Sequence, residues 1–478
     1  MTPDQYGLLQ ARRQFIGRTA TGIGTAALSS LLPAQTMAVP SPTADSLVPH
    51  FAPRAKSVIY LFMAGAPSHV DLFDYKPTLF ERDGTQIPKE LMEGQRFAFI
   101  KDIPNVGAPP WNFIHGNGTD GRFSELLPHT ASVANELAVI HSMHTDQFNH
   151  DPAVTFLNSG AALPSRPAAG SWVSYGLGSE NKDLPAFIVL NSGAVGQPLQ
   201  SRYWGSGFLP STHQGVQFRS QGDPVLYVSN PDGFSSDTRR RSLDALNQLN
   251  RWQLETINDP EIRTRIDQYE LAFRMQMSVP GVVDISQEPR SILDQYGAVP
   301  GEASFANNCL LARRLVERGV RFIQLYHTGW DHHGFVSIQN LLTQLPVKAQ
   351  EVDQGAAALI RDLKQRGLLD ETLVIWGGEF GRTPMVQSGL PNTVMGRDHH
   401  PRAFTIWMAG GGIKPGMVYG STDDFAYNVT ENPVHIHDFQ ATLLHCLGID
   451  HERLTYRFQG RDYRLTDVHG SVVHDILA

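Results

Sequence analysis

Short, unbroken apolar runs recur along this chain, and most lead straight into a polar cluster. Ser57–Met63 (SVIYLFM), Leu137–His141, Pro185–Leu190, Val320–Tyr326, Leu373–Trp376 and Phe404–Ala409 have the length and the bounding turn residues of strands buried on both faces. Helical spacing fills much of the chain between them. Ala306–Arg318 (ANNCLLARRLVER) is amphipathic and is ended by Gly319. Pro346–Arg366 places Val347, Val352, Ala356, Leu359, Ile360 and Leu363 on one side. Ser124–Asn135 and Ser242–Met277 read as helical, and Ala441–Leu447 as a short helix ended by Gly448. Strands alternating with amphipathic helices predict an α/β domain: a mostly parallel sheet flanked by helices on both faces.

In such sheets the chemistry gathers at strand ends and in the adjoining loops. His69, Asp71 and Asp74 follow the first run, as ligands or as caps of a helix opening near Lys76-Pro77. His141, His144, Asp146, His150 and Asp151 follow the second, where Asp151-Pro152 is also a helix start. His327, Asp331, His332 and His333 follow Val320–Tyr326. Glu379 and Arg382 follow Leu373–Trp376, and Asp398, His399 and His400 precede Phe404–Ala409. Carboxylates and imidazoles converging on one sheet edge predict a metal site. The competing reading is an Arg–carboxylate network that ties loops together. His435 and His437 are weaker ligand candidates, with Asp438 a helix cap. In the Gly-, Ser- and Pro-rich stretch 193–235, Tyr203, Trp204 and Phe208 suggest a lid or substrate rim.

Composition narrows the classes. A chain of 478 residues with 41% hydrophobic and 18% charged residues can bury a large core. A net charge of −8 without a long Lys/Arg run argues against a nucleic-acid binder. The two cysteines, Cys309 and Cys446, lie in apolar helical patterns and read as buried thiols. At the N-terminus, Arg12-Arg13-Gln14-Phe15-Ile16 precedes a weakly apolar Thr19–Leu32 and a small-residue site at Thr36-Met37-Ala38. This is the pattern of a twin-arginine export signal over 1–38, followed by a tether over 39–55 and a single domain over 56–478 with an irregular insertion near 193–300. The expected address is the periplasm or another exported location, reached through the twin-arginine machinery, with no stable membrane span.

GAPSHVDLFDYKP, NHDPAVTFLNSG, GWDHHG, GGEFGRTP, GRDHHP and AGGGIKPGMVYG, with the export signal, resemble the DUF1501 proteins from the signal to about Asp450. That family looks like a branch of the alkaline phosphatase and sulfatase superfamily, which implies an alkaline phosphatase/sulfatase-like α/β sandwich and one or two divalent metal ions (Zn, Mn, Fe, Ca or Mg). Under the resemblance Asp71 takes the place of the first acidic ligand, and ETLVIWGGEFG matches the sulfatase stretch that carries a ligand Asp, with Glu379 in its place. Phe380 stands where a neighbouring ligand would be, Asp331 and His333 match an upstream Asp/His pair, and His399 matches the last ligand histidine. HDPAVTFLNSG keeps the spacing of the sulfatase nucleophile motif, but His150 replaces the cysteine and Val154 the arginine.

The expected metal ligands are therefore Asp71, Asp331, His333, Glu379 and His399, with Asp398 as a ligand or as a residue orienting a histidine. His150 is expected as nucleophile, base or further ligand, and Arg382 as the cation offsetting an anionic substrate. These assignments imply hydrolysis of a sulfate or phosphate ester, with polysaccharide among the candidate substrates. The alternative is a non-catalytic scaffold that binds metal or glycan.

Overall fold

The computed structural model describes residues 48–478 except 95–96, 101–102, 194–197, 220–223, 226–229, 231–232, 258 and 388–392. The export signal and most of the expected tether lie outside the described residues. The tether's last residues do not hang free: Arg54 and Ala55 donate their backbone N–H groups to the Cys446 carbonyl, and Ala55 is buried.

Nine strands form the main sheet. They are β1 (Ser57–Ala64), β2 (Leu137–His144), β3 (Phe187–Gly193), β4 (Val216–Phe218), β5 (Phe322–Thr328), β6 (Thr372–Gly377), β7 (Phe404–Ala409), β8 (Met417–Tyr419) and β9 (Val434–His435). Their order is β8-β2-β7-β6-β1-β5-β3-β4, with β9 also paired to β2. Every pairing is parallel except the two made by β7. β1 lies at the centre, with Val58 opposite both Phe322 of β5 and Leu373 of β6.

The sheet is buried on both sides because successive side chains of a strand point to opposite faces. Ile59, Leu61 and Met63 of β1 enter one core, and Val58, Tyr60, Phe62 and Ala64 enter the other. The first core is closed by α4 (Pro260–Val283), α5 (Phe305–Val316) and α6 (Leu341–Gln365). The second is closed by α1 (His150–Ser159), α2 (Ala169–Leu177) and α7 (Ile436–Cys446). Cys309 and Cys446 are buried free thiols on α5 and α7, as expected.

The helical character expected over Ser242–Met277, inside the 193–300 stretch, is carried by two helices, α3 (Ser236–Ile257) and α4. Two helix starts differ from expectation. The α6 helix begins at Leu341, five positions before Pro346, because the Asn340 side chain accepts the Leu342 N–H at 3.2 Å and caps it there. The α1 helix starts after Asn149 rather than at Asp151, so His150 occupies its first position.

Asp353 on α6 ties the two sides of this layer together. Its carboxylate accepts the His129 N–H at 2.8 Å, the Thr130 N–H at 2.7 Å and the Thr130 hydroxyl at 2.6 Å, fixing the short helix Pro128–Ser132. Asp353→Ala strands these donors, and urea denaturation should find it less stable by about 2–4 kcal/mol. A loss under about 0.5 kcal/mol, the size of an ordinary surface change, would contradict this role.

Candidate metal centre

One edge of the sheet collects five chain segments. The parallel strands β1, β2, β5 and β6 all end there, and the antiparallel strand β7 begins there, since Phe404 faces Met143 of β2. Four side chains carried by these segments converge: His150, Asp331, His333 and His399, with their potential ligand atoms all within 4.8 Å of one another. All four were expected as ligands or as the reactive histidine; three lie in loops that follow strands, and His399 precedes β7.

Hydrogen bonds on the outer side of each ring decide what faces inward. His150 Nδ1 donates to Glu379 Oε1 at 2.6 Å, because a carboxylate can only accept. His399 Nδ1 donates to the Phe148 carbonyl at 2.7 Å. His333 Nδ1 donates to Gln387 Oε1 at 2.9 Å. In the neutral rings each proton sits outside, so the three Nε2 atoms present lone pairs to the middle. There His333 Nε2 and His399 Nε2 lie 2.9 Å apart, with Asp331 Oδ1 at 2.9 Å from the first and 3.5 Å from the second. His150 Nε2 is 3.1 Å from the same oxygen but not aligned to bond to it. Two lone pairs at 2.9 Å repel unless a cation stands between them. Three imidazole nitrogens and one carboxylate oxygen are a donor set for a divalent transition metal such as zinc, so the residues fit the ion that the resemblance implied.

Burial drives His399 down to about 3, with the Arg382 charge adding to it and Asp331 opposing. For His150 burial also works against charge, but the Asp331 and Glu379 carboxylates beside it outweigh that and raise its pKa. Burial opposes ionisation of Asp331 too; Arg382, with the three histidines, overrides it and holds the carboxyl far below its ordinary range.

Arg382 is locked in place. Its Nε donates to the Ala66 carbonyl at 3.0 Å, Nη2 to the Gly65 carbonyl at 2.5 Å and Nη1 to the Arg397 carbonyl at 3.2 Å, while Nη2 also reaches Asp331 Oδ1 at 2.6 Å. Gly65 permits this approach. Its φ is +108°, and a Cβ there would lie 2.8 Å from the Asp331 nitrogen. Its N–H also donates to Glu379 Oε1 at 3.0 Å.

The remaining expected ligands sit outside the group of four. Asp71 is fully buried and gripped by Arg397, with Nε at 2.6 Å from Oδ2 and Nη2 at 2.8 Å from Oδ1, and Ser68 Oγ donates to Oδ2 at 2.5 Å. Both its oxygens are committed to that pair. Asp398 uses Oδ2 to accept the Phe99 and Ile100 N–H groups at 2.8 and 3.0 Å, and Oδ1 to accept the His399 N–H at 2.8 Å. It positions the backbone of His399 rather than its ring. Glu379 orients His150, and its second oxygen is buried without a hydrogen-bond partner among the described residues. This edge therefore carries both a convergent His/Asp group that could hold a metal ion and, beside it, an Arg–carboxylate network.

Other histidines do local work. His141 meets Thr405 Oγ1 at 3.0 Å, and His400 stacks on Tyr427. Trp330 Nε1 donates to His327 Nδ1 at 2.9 Å. His435 caps α7, with Asp438 completing the reciprocal cap. The expected rim at Tyr203, Trp204 and Phe208 turns inward instead. Tyr203 and Trp204 are buried, Trp204 against Tyr326, and Phe208 stacks on Phe458. Tyr203 OH bonds to Asp151 Oδ1 at 2.5 Å and so pins the start of α1. Hydrophobic burial of large rings outweighs exposure at a rim. Sequence reasoning missed Arg397, Gln387 and the Phe148 carbonyl; only Arg397, beside Asp398 in GRDHH, carried a readable signal.

Residues 55–477 match the family described as "Protein of unknown function (DUF1501)". No curated protein sequence matches the chain. Among solved structures, a Vibrio parahaemolyticus protein of the alkaline phosphatase superfamily is similar at 11% identity and a TM-score of 0.36, over 86% of this chain and 71% of that one. A Pseudoalteromonas sp. sulfatase is similar at 14% identity and a TM-score of 0.36, over 89% and 72%. Alkaline phosphatase from the Antarctic bacterium TAB5 is similar at 10% identity and a TM-score of 0.29, over 76% and 94%.

Two outcomes follow from the outer hydrogen bonds. Glu379→Gln keeps the fold but weakens zinc affinity by about 10–100-fold in a chelator competition; unchanged affinity would remove Glu379 from the centre. Because the raised His150 must lose its proton to bind, zinc affinity strengthens by about tenfold per pH unit below that pKa and levels off above it. A flat profile across that range would contradict the assignment of His150 as a ligand.

Proposed function

We propose that this chain, which belongs to the DUF1501 family of proteins of unknown function, is a metal-dependent hydrolase of sulfate or phosphate esters, exported through the twin-arginine pathway. The observation that carries this reading is the ring of three outward-anchored imidazoles around Asp331, with Arg382 against the same carboxylate. His150, Asp331, His333 and His399 would hold the ion. A divalent ion there supplies charge that polarises an ester oxygen.

The chain's own residues supply the rest. Arg382, held by three backbone carbonyls, is a fixed cation whose orientation costs no reorganisation when an anionic group arrives. With a dication and Arg382 beside the Asp331 and Glu379 carboxyl groups, the centre is net positive and favours a dianionic or monoanionic ester over a neutral one. Glu379 fixes the His150 tautomer, which leaves only Nε2 toward the centre. The four converging side chains include no hydroxyl or thiol, and with His150 taken as a ligand the attacking oxygen in this reading is water's. The two thiols are elsewhere, and burial pushes Cys446 up to about 12.

That lack of a side-chain nucleophile favours the second reading, a non-catalytic scaffold that holds metal or glycan. Limited access favours it too, since Asp331 is the most exposed of the four, with a side chain only 16% accessible. Zinc-, manganese-, calcium- and magnesium-loaded protein should be assayed against sulfate and phosphate esters beside Asp331→Asn and His399→Ala. The hydrolase reading expects turnover in at least one metal and a loss of about 100-fold or more in both variants. Stoichiometric metal with no turnover on any ester would leave the scaffold.

A further inference from the structure

Exposed apolar side chains lie beside the centre. Phe99 and Phe335 are 44% and 53% exposed, and Val336 and Ile338 on the same loop as Phe335 are 52% and 66% exposed. Large exposed apolar side chains grouped beside a polar site mark a binding surface more often than an accident of packing. These rings touch the ligand histidines themselves. The Phe99 ring centre lies 4.6 Å from that of His333 and 6.1 Å from that of His399, edge-on to both. Phe335 stacks near-parallel to His333 at 6.1 Å, and the two phenylalanines meet edge to face at 5.4 Å.

Their backbones are held rather than loose. Asp398 accepts the N–H groups of Phe99 and Ile100 while accepting that of His399, so one carboxylate sets the ring and the ligand histidine in register. The Phe335 loop is closed by the Gly334 N–H on the Gln339 carbonyl at 2.8 Å. It is tied to the segment before His399 by the Leu341 N–H on the Met395 carbonyl at 2.9 Å.

We propose that Phe99 and Phe335 form a subsite for the group esterified to the anion, one that presents a flat apolar ring face: an aryl ring or the CH face of a pyranose. The anion-binding half rests on the hydrolase reading above; the ring-binding half rests on the two phenylalanines. Aromatic faces stack on either kind of ring without reading its polar edges. A small alkyl ester would reach the centre without covering either phenylalanine.

Binding separates the two halves without turnover. Methylphosphonate, phenylphosphonate and a pyranosylmethyl phosphonate carry the same anionic head and can be titrated calorimetrically into zinc-loaded full-length protein. The proposal expects a ring-bearing probe to bind about 10-fold tighter than methylphosphonate. That ratio should fall below about 3 in Phe335→Ala and in Phe99→Ala, and persist in Phe335→Tyr. Because it compares probes on one protein, the ratio does not move when a variant merely loses metal. Preference for phenyl alone or pyranosyl alone assigns the ring source and supports the subsite. Equal binding of all three probes, or a ratio that survives both alanine substitutions, overturns the subsite alone. No binding of any probe, methylphosphonate included, overturns the anion site and the subsite with it.

Discussion

Asp331 is the carboxylate on which this edge of the protein turns. It is buried enough that its charge needs compensation; Arg382 supplies that at 2.6 Å, and the inner nitrogens of three histidines ring the same oxygen. None of these partners is free to move toward it. Each imidazole is tethered from behind by Glu379, Gln387 or the Phe148 carbonyl, and the guanidinium by three carbonyls. A cluster assembled this way is arranged in advance, and preorganised charge is what a metal centre needs from its protein.

The sheet makes that arrangement available. Four parallel strands deliver their C-terminal ends to one edge and a single reversed strand, β7, returns its N-terminal end to it. Residues far apart in the chain, such as His150 and His399, thereby come into ring contact with centres 4.3 Å apart. Beside the centre, the wholly buried Asp71–Arg397 pair holds the loop after β1 against the segment before β7. Such a pair gives little net stability, yet breaking it leaves an unpaired buried charge and costs about 3–5 kcal/mol. Its position suggests that registry between these two segments is what it provides.

Much of this was legible in the chain. Unbroken apolar runs placed six strands to within three residues at either end, and β7 matched at both ends. The rule that chemistry lies at strand ends and in adjoining loops put His150, Asp331, His333 and His399 among its candidates, beside others such as His69, Asp71, Glu379 and Asp398. What it could not do was rank neighbours. Asp71 and Asp398 carry the same residue type in the same kind of loop as Asp331, and only Arg397 and the Phe99 and Ile100 N–H groups distinguish them. Likewise the exposed rings that touch the candidate ligand histidines are Phe99 and Phe335. The denser cluster at Tyr203, Trp204 and Phe208 is drawn into the core. Partner identity across the fold is long-range information, and local pattern does not contain it.

The most direct test of the account is anomalous diffraction from a crystal of the zinc-loaded protein, recorded on either side of the zinc absorption edge. The account predicts one strong peak enclosed by His150 Nε2, His333 Nε2, His399 Nε2 and an Asp331 oxygen, at about 2.0–2.2 Å from each. A peak bound instead by Asp71 or Asp398, or no peak at this edge of the sheet, would contradict it.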